Sequence, residues 1–300
     1  MKKRATNPIE STGMKARISA FDVINVALMI LLICVIVYPF YYSALNSFND
    51  DLIRKPSFLW NAHWTVRPYQ TVFSDASIVT GFFNSTLRTV FGAAFSLLIC
   101  SLAAYALSKS HLKFRALYMA LFIIPTFFDG GQIPAYLNIK NLGLIDSFFV
   151  YLLPRGFSFF WMVILMTNFK SIPNELEEAT YIDGATTWRV FLQVILPISL
   201  PALATITLYA AVAQWNAWYD TAFYTNSNGM TTLSWILMRT IKDQAFADMA
   251  NDMNALDSQS YNPEGVKMAT MVVAAVPIIM IYPFLQRYFV KGLMVGSIKG

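Results

Sequence analysis

Six long apolar runs constrain this chain more than any other feature: Phe21–Leu45, Leu87–Leu107, Ala116–Leu137, Ser147–Phe169, Ile198–Trp218 and Met268–Val290. A bilayer's hydrocarbon core is about 30 Å thick, so a helix rising about 1.5 Å per residue crosses it with roughly 20 apolar residues. Every run reaches that length, and polar segments separate them. The runs predict an all-α, polytopic membrane protein with six transmembrane helices. The first is too long for a cleaved signal peptide and no small-x-small cleavage site follows it, so it reads as a retained span. Pro39, Pro125, Pro154 and Pro283 lie inside the runs. Spans tolerate such prolines because neighbouring groups satisfy the carbonyls they free.

Charge supports the same reading. Charged residues make up 13% of the chain and apolar ones 56%, where soluble domains carry about 25% charged residues. That balance excludes disordered, collagen-like and disulfide-framework chains. Cys34 and Cys100 both lie inside apolar runs and imply neither a disulfide nor a redox compartment. The net charge of +5 is explained by position. With the N-terminus inside, thirteen of the 22 Lys and Arg fall in inner segments, including Lys2, Lys3, Arg4, Lys15 and Arg17, against seven in the longer outer ones. Arg88 and Arg155 lie within or beside runs and are assigned to neither side. The inner excess predicts both termini cytoplasmic and removes any nucleic-acid reading of the basic charge. The organisation expected is a cytoplasmic segment over 1–20, a six-helix transmembrane domain over 21–290 and a cytoplasmic tail over 291–300.

Two outer connections are long. Residues 46–86 mix Trp60, Trp64 and Tyr69 with polar residues, as an interfacial or partner-contacting segment does; residues 219–267 are irregular in pattern, which reads as either functional or disordered. The inner connection 170–197 differs, because it places Glu175, Glu177, Glu178 and Asp183 on a side otherwise rich in cations. Asn174 with Glu177 three residues on predicts a capped helix start. Gly184 is expected to end or bend that helix, and Ala185–Leu196 to form a second one closed by Pro197. An amphipathic helix in the headgroups is one reading of this loop. Glutamates facing an anionic leaflet would be repelled, so a docking element for a cytoplasmic partner explains the charge better.

The spacing Glu178-Ala179-Thr180, three residues, Gly184, nine residues, Val194-Ile195-Leu196-Pro197 resembles the EAA motif of permease subunits of ATP-binding-cassette importers. Thr180 replaces the motif's second alanine and Val194 its isoleucine, both mild changes. Asn84–Ser108, Gly130–Tyr136, Gln214–Asp220 and the ending QRYFVKGLMVGSIKG resemble the carbohydrate branch, in particular the maltose-type subunit without extra N-terminal spans. The glycine pair before Ile133 and Pro134 resembles the complex-oligosaccharide subgroup of Gram-positive bacteria. In a chain of this bacterial kind, Asn84-Ser85-Thr86 matches a glycosylation acceptor by coincidence.

The resemblance implies a type I importer permease fold and a carbohydrate passed by alternating access. It implies a heterodimer with a second homologous permease, two cytoplasmic ATP-binding subunits, an external substrate-binding lipoprotein and a lipid membrane around the spans. ATP and Mg would be bound by the ATPase partners, with no cofactor or metal in this chain and no catalytic residue; the sequence contains no GxxxxGK[S/T] phosphate loop. It also implies that the segment from Glu178 to Leu196 is the coupling helix. Glu178, Ala179, Thr180, Asp183, Gly184, Leu196 and Pro197 are its expected coupling residues, with Glu178 offering charge-assisted hydrogen bonds and Ala179 and Gly184 kept small for close approach.

Sugar sites combine aromatic faces with amides and carboxylates. Trp215, Asn216, Trp218 and Tyr219 near the outer end of the fifth run have that chemistry, as do Asp129, Gln132 and Tyr136 on the third. Asp129 would lie roughly 20 Å above the inner face, at a depth where a carboxylate faces a bundle interior or a water-filled cavity. The Trp/Tyr group equally fits an interfacial aromatic belt, and Asp129 with its two glycines a helix break. Two other functions compete. A secondary transporter driven by an ion gradient would need relay carboxylates or histidines, whereas the runs hold one deep acid and His63 and His111 lie in loops. A membrane-embedded enzyme would need a His, Asp or Cys cluster at the membrane face.

Overall fold

The computed structural model describes residues 20–49, 64–128, 130–251 and 263–297, and among these it is almost entirely helical. The helices are α1 (Ala20–Asn46), α2 (Arg67–Ser74), α3 (Ala76–Ser108), α4 (Arg115–Phe127), α5 (Gln132–Asn141), α6 (Phe159–Lys170), α7 (Asn174–Ile182), α8 (Thr187–Val190), α9 (Leu196–Ile198), α10 (Leu200–Asn216), α11 (Tyr219–Tyr224), α12 (Leu233–Asn251) and α13 (Pro263–Ser297). Three are long and apolar enough to cross a membrane unaided: α1, α3 and the stretch Glu264–Ile281 of α13. Two bent pairs, α4 with α5 and α8–α9 with α10, raise that number to five if each is one crossing.

α3 is the central post. It packs against α6 and α10, and α10 in turn against α13. Much of its buried face is small residues, Gly81, Ser85, Gly92, Ser96, Cys100 and Ala104, at spacings of four and seven, with Ala93 beside them. Small residues let helices approach closely where lipid gives no hydrophobic drive to associate. A Cβ at Gly92 would lie 2.5 Å from the Gln214 side chain of α10. Towards the C-terminal end of α3, Cys100, Ala104 and Leu107 join Met162, Leu165 and Phe169 of α6 and Leu203 and Ile206 of α10 in the largest core among the described residues. α1 is apolar all round, unburied along its membrane window, and rests on α13. α3 is 33 residues long, or about 50 Å, longer than a core about 30 Å thick requires. Asp75 caps its N-terminal end by accepting from the Ser77 amide at 2.8 Å.

Two expected spans are not continuous helices. The fourth run resolves into a 3-10 turn over Phe148–Tyr151, a non-helical stretch to Ser158, and α6. α6 has 12 residues, about 18 Å. The cause is Pro154, which lacks an amide proton and drives the residue before it out of the helical region. Gly156 then lies under the Phe95 ring, where a Cβ would come within 2.3 Å, and Ser158 caps α6 through Trp161. The third run breaks between α4 and α5 at Gly131, whose φ of +86° is glycine backbone. The outer segment 219–251 is folded into α11, a 3-10 turn and α12 rather than irregular.

Candidate functional site

The inner connection forms two short helices joined at Gly184, as its pattern predicted, with one correction at the start. Asn174 is the first residue of α7 and makes no cap; Pro173 stands at the cap position without a side-chain bond. Glu175 and Glu177 occupy the first turn, where the helix dipole favours them. Gly184 has φ +79° and open space around its absent side chain, so within this chain it is a left-handed stop for α7. The second helix runs past Pro197 to Ile198, and Phe191–Ile195 within it is wound as a π-turn. That wider turn precedes Pro197, whose ring would clash with the Gln193 carbonyl in a regular α-helix.

One side of this element is fixed to the bundle. Val190, Phe191 and Ile195 are buried in the inner core, and the Phe191 ring lies 4.9 Å from that of Tyr105. Lys109, at the inner end of α3, donates to both carboxylate oxygens of Glu177 and lies 4.2 Å from the Tyr105 ring. The other side is bare. Ile182 is 86% exposed and Trp188 62%, with Leu176 and Tyr181 also exposed, and Glu178, Ala179, Asp183 and Gly184 open beside them. Thr180 donates its hydroxyl to the Leu176 carbonyl at 2.7 Å, while Leu196 is half-buried against the core and Pro197 is exposed. An apolar patch rimmed by acids is the usual mark of an interaction surface.

A second cluster joins α3 to the end of α10 and the start of α11. The Arg88 guanidinium is 1% exposed and donates from Nε to Gln214 Oε1 at 3.0 Å, from Nη1 to the Ala217 carbonyl at 2.8 Å, and from Nη2 to Asp220. Its Cζ lies 4.6 Å from the Tyr151 ring centroid. Arg155 donates from Nε to the same Asp220 oxygen at 2.8 Å. Gln214 completes the set by donating to the Tyr151 carbonyl at 3.2 Å. A buried guanidinium with every nitrogen engaged ties α3, the end of α10, α11 and the broken fourth run into one rigid block. Arg88 and Arg155 had no assigned side; the sequence signal for their role was that charges inside apolar runs need partners, and Asp220 is the acid at the end of the fifth run.

The residues expected along the pathway do not form one group. Trp215 is 7% exposed and donates its indole N–H to the Ala274 carbonyl at 3.0 Å, which holds α10 to α13. Trp218 stacks on Trp235 with ring centroids 6.3 Å apart, and Lys242 lies over it at 5.2 Å. Tyr136 stacks on Tyr224 at 6.2 Å, and Tyr219 meets the same ring edge-on at 6.0 Å. This brings Tyr136 and Tyr219 together beside Asp220. Gln132 and Asn216 are exposed, and Asp129 lies outside the described residues. An outer pocket of about 800 Å³ opens between the start of α3 and α11–α12, lined by Asp75, Thr80, Thr225, Trp235 and Arg239 among others. Asn84, of the glycosylation-like triplet, donates to the Gly229 and Thr231 carbonyls and helps close this region. Among the described residues no His, Cys, Asp or Glu cluster fits a metal.

The pattern that defines the binding-protein-dependent transport system inner membrane components matches residues 96–295, which include the α7–α9 element. The chain belongs to that family. Its relatives include the polygalacturonan/rhamnogalacturonan transport system permease protein YtcP of Bacillus subtilis, 37% identical over 96% of this chain and all of that protein. Protein LplC of the same organism is 35% identical over 93% of this chain and 95% of its own length. Among solved structures, a chain of a bacterial transporter that imports the acidic polysaccharide alginate superposes with a TM-score of 0.79 at 30% identity, covering 90% of this chain and 96% of that one. The permease is therefore a transport subunit of an importer, not a secondary transporter or a membrane-embedded enzyme.

Proposed function

We propose that this permease is one half of the membrane pathway of a carbohydrate importer, with an oligosaccharide as cargo and a separate ATPase as the source of work. The observation that carries the reading is the α7–α9 element, fixed to the bundle by Lys109–Glu177 and Phe191 and bare on its inner-facing side. Its exposed face, Leu176, Tyr181, Ile182 and Trp188 with Glu178 and Asp183, suits the groove of a cytoplasmic ATP-binding subunit. Closure of two such subunits on ATP and Mg would push α7, and the π-turn and Pro197 would pass that displacement into α10. Two access states of the spans then interconvert, and the partner's closure biases them.

A single chain leaves the pathway open on one side, so a second homologous permease completes it, and an external lipoprotein delivers the sugar. Six crossings with both termini cytoplasmic follow if α4–α5 and the broken fourth run each count as one, which places the protein in the cytoplasmic membrane as a multi-pass subunit. Residues 1–20 and 291–300 are then cytoplasmic extensions of the domain over 21–290. The sugar class comes from relatives named for polygalacturonan, rhamnogalacturonan and alginate transport. The test is uptake and ligand-stimulated ATP hydrolysis by the four-component complex in proteoliposomes against a panel of oligosaccharides. Sugar-dependent stimulation is expected; uptake that continues without ATP would contradict the proposal.

A further inference from the structure

The broken fourth run places irregular backbone inside the membrane. Ser96 donates its hydroxyl to the Arg155 carbonyl at 2.9 Å, and Ser96 is about 18 Å along α3 from its inner end, near the middle of a core about 30 Å thick. Non-helical backbone at that depth is tolerated only where it is buried in protein or lines a water-filled cavity. Leu153 and Pro154 are nevertheless exposed in this chain, so the face they form is turned to the partner permease or to the pathway between the two.

The charge on that face is unbalanced. Asp220 meets two guanidiniums, and Arg88, buried and held by Gln214, Ala217 and Asp220, already neutralises it. Arg155 reaches Asp220 through Nε alone, is 38% exposed, and has no other side-chain partner among the described residues. Its two remaining nitrogens form the planar fork that accepts a carboxylate side-on. Aromatic surface adjoins it. Tyr224 stands one turn from Asp220 on α11, and the exposed Tyr136 ring stacks on Tyr224. A cation with a spare fork beside an aromatic face recognises a sugar that carries a carboxylate, and such an anion would offset the cluster's extra positive charge.

We propose that Arg155, positioned by Asp220, binds the carboxylate of a uronic-acid oligosaccharide in transit, with Tyr136 as the stacking face. The inference rests on the sugar-importer reading. The test uses the complete importer in proteoliposomes with oligogalacturonide in its ionised form and as its neutral methyl ester, each compared as the ratio of variant to wild type so that preferences of the binding protein cancel. Arg155→Gln should lower uptake of the ionised form about tenfold, the scale of one lost charge-assisted hydrogen bond, and leave the ester within about twofold. Arg155→Lys should recover part of the loss. Asp220 keeps Arg88 as a partner in both variants, so the assembled complex should be recovered in wild-type yield. Equal loss for both forms, or no loss for either, would overturn the role of Arg155. Uptake of neither form by wild type, while another oligosaccharide is carried, would overturn this inference and leave the sugar-importer reading standing; no sugar-dependent uptake of any kind would overturn both.

Discussion

Removing Asp220 should cost far more than removing Arg155, although both belong to one ion cluster. Asp220→Ala leaves Arg88 charged, 1% exposed, and without an anion among the groups that hold it. Breaking a buried pair from one side costs about 3–5 kcal/mol. Arg155→Gln leaves Asp220 paired with Arg88 and removes a cation already 38% exposed, which costs about 1 kcal/mol or less. For a chain of this size 1 kcal/mol moves the midpoint by roughly 2–4 °C, so the expected drops are about 6–20 °C for Asp220→Ala and about 4 °C or less for Arg155→Gln. Thermal unfolding of the purified complex in detergent, with the same lipid content for each variant, reads the difference. The double variant Arg88→Met with Asp220→Leu should recover much of the Asp220→Ala loss, because the one charge it leaves unpaired, Arg155, is 38% exposed rather than buried. Equal shifts for the two single variants, or a double variant worse than either component, would refute the argument that Arg88 and Asp220 form the neutral inner pair.

Two further outcomes follow from other contacts. Lys109→Glu and Glu177→Lys should each lower ATP-driven uptake, and the double exchange should restore part of it, with a coupling of about 1 kcal/mol in a double-mutant cycle; strict additivity would show that the pair does not hold α7. Asp146 accepts from the Asn226 and Ser227 amides, at 2.7 and 3.0 Å, and those bonds hold its carboxyl below the usual carboxylate range. A depressed carboxylate stabilises the fold above its unfolded pKa and stops doing so as pH falls through its folded one. Hydrogen-exchange protection at those two amides, taken relative to the intrinsic rate at each pH, should therefore hold at neutral pH and fall only in acid, whereas Asp146→Ala should lower it at every pH.

How far the sequence reached can be judged from individual residues. α1, α3, α10 and α13 were legible because each is an unbroken apolar run. α7 and its stop were legible because Pro173, the early glutamates and Gly184 are local signals. The third and fourth runs were misread as continuous, because hydropathy is blind to backbone conformation: Gly131 turns left-handed and Pro154 stops a helix without changing the apolar average. The start of α3 was set eleven residues late for the opposite reason, since its first turns carry polar residues and α3 also packs on α12. The Arg88–Asp220–Arg155 cluster was invisible in outline. Its members are separated by 132 and 65 positions, and no periodic pattern joins such distances. Trp215 and Trp218 look alike in sequence, yet one is locked against α13 and the other stacks on Trp235, a distinction set only by packing.

The central claim is that the α7–α9 element receives work from an ATPase this chain does not contain. Gly184 tests it most directly, because its side-chain space is open in the isolated chain and its left-handed φ makes any side chain there cost about 1–2 kcal/mol, too little to prevent insertion. ATP-driven uptake by the reconstituted complex carrying Gly184→Trp is the measurement. Loss of uptake with the chain still inserted in the membrane is the predicted result, and wild-type uptake would contradict the account.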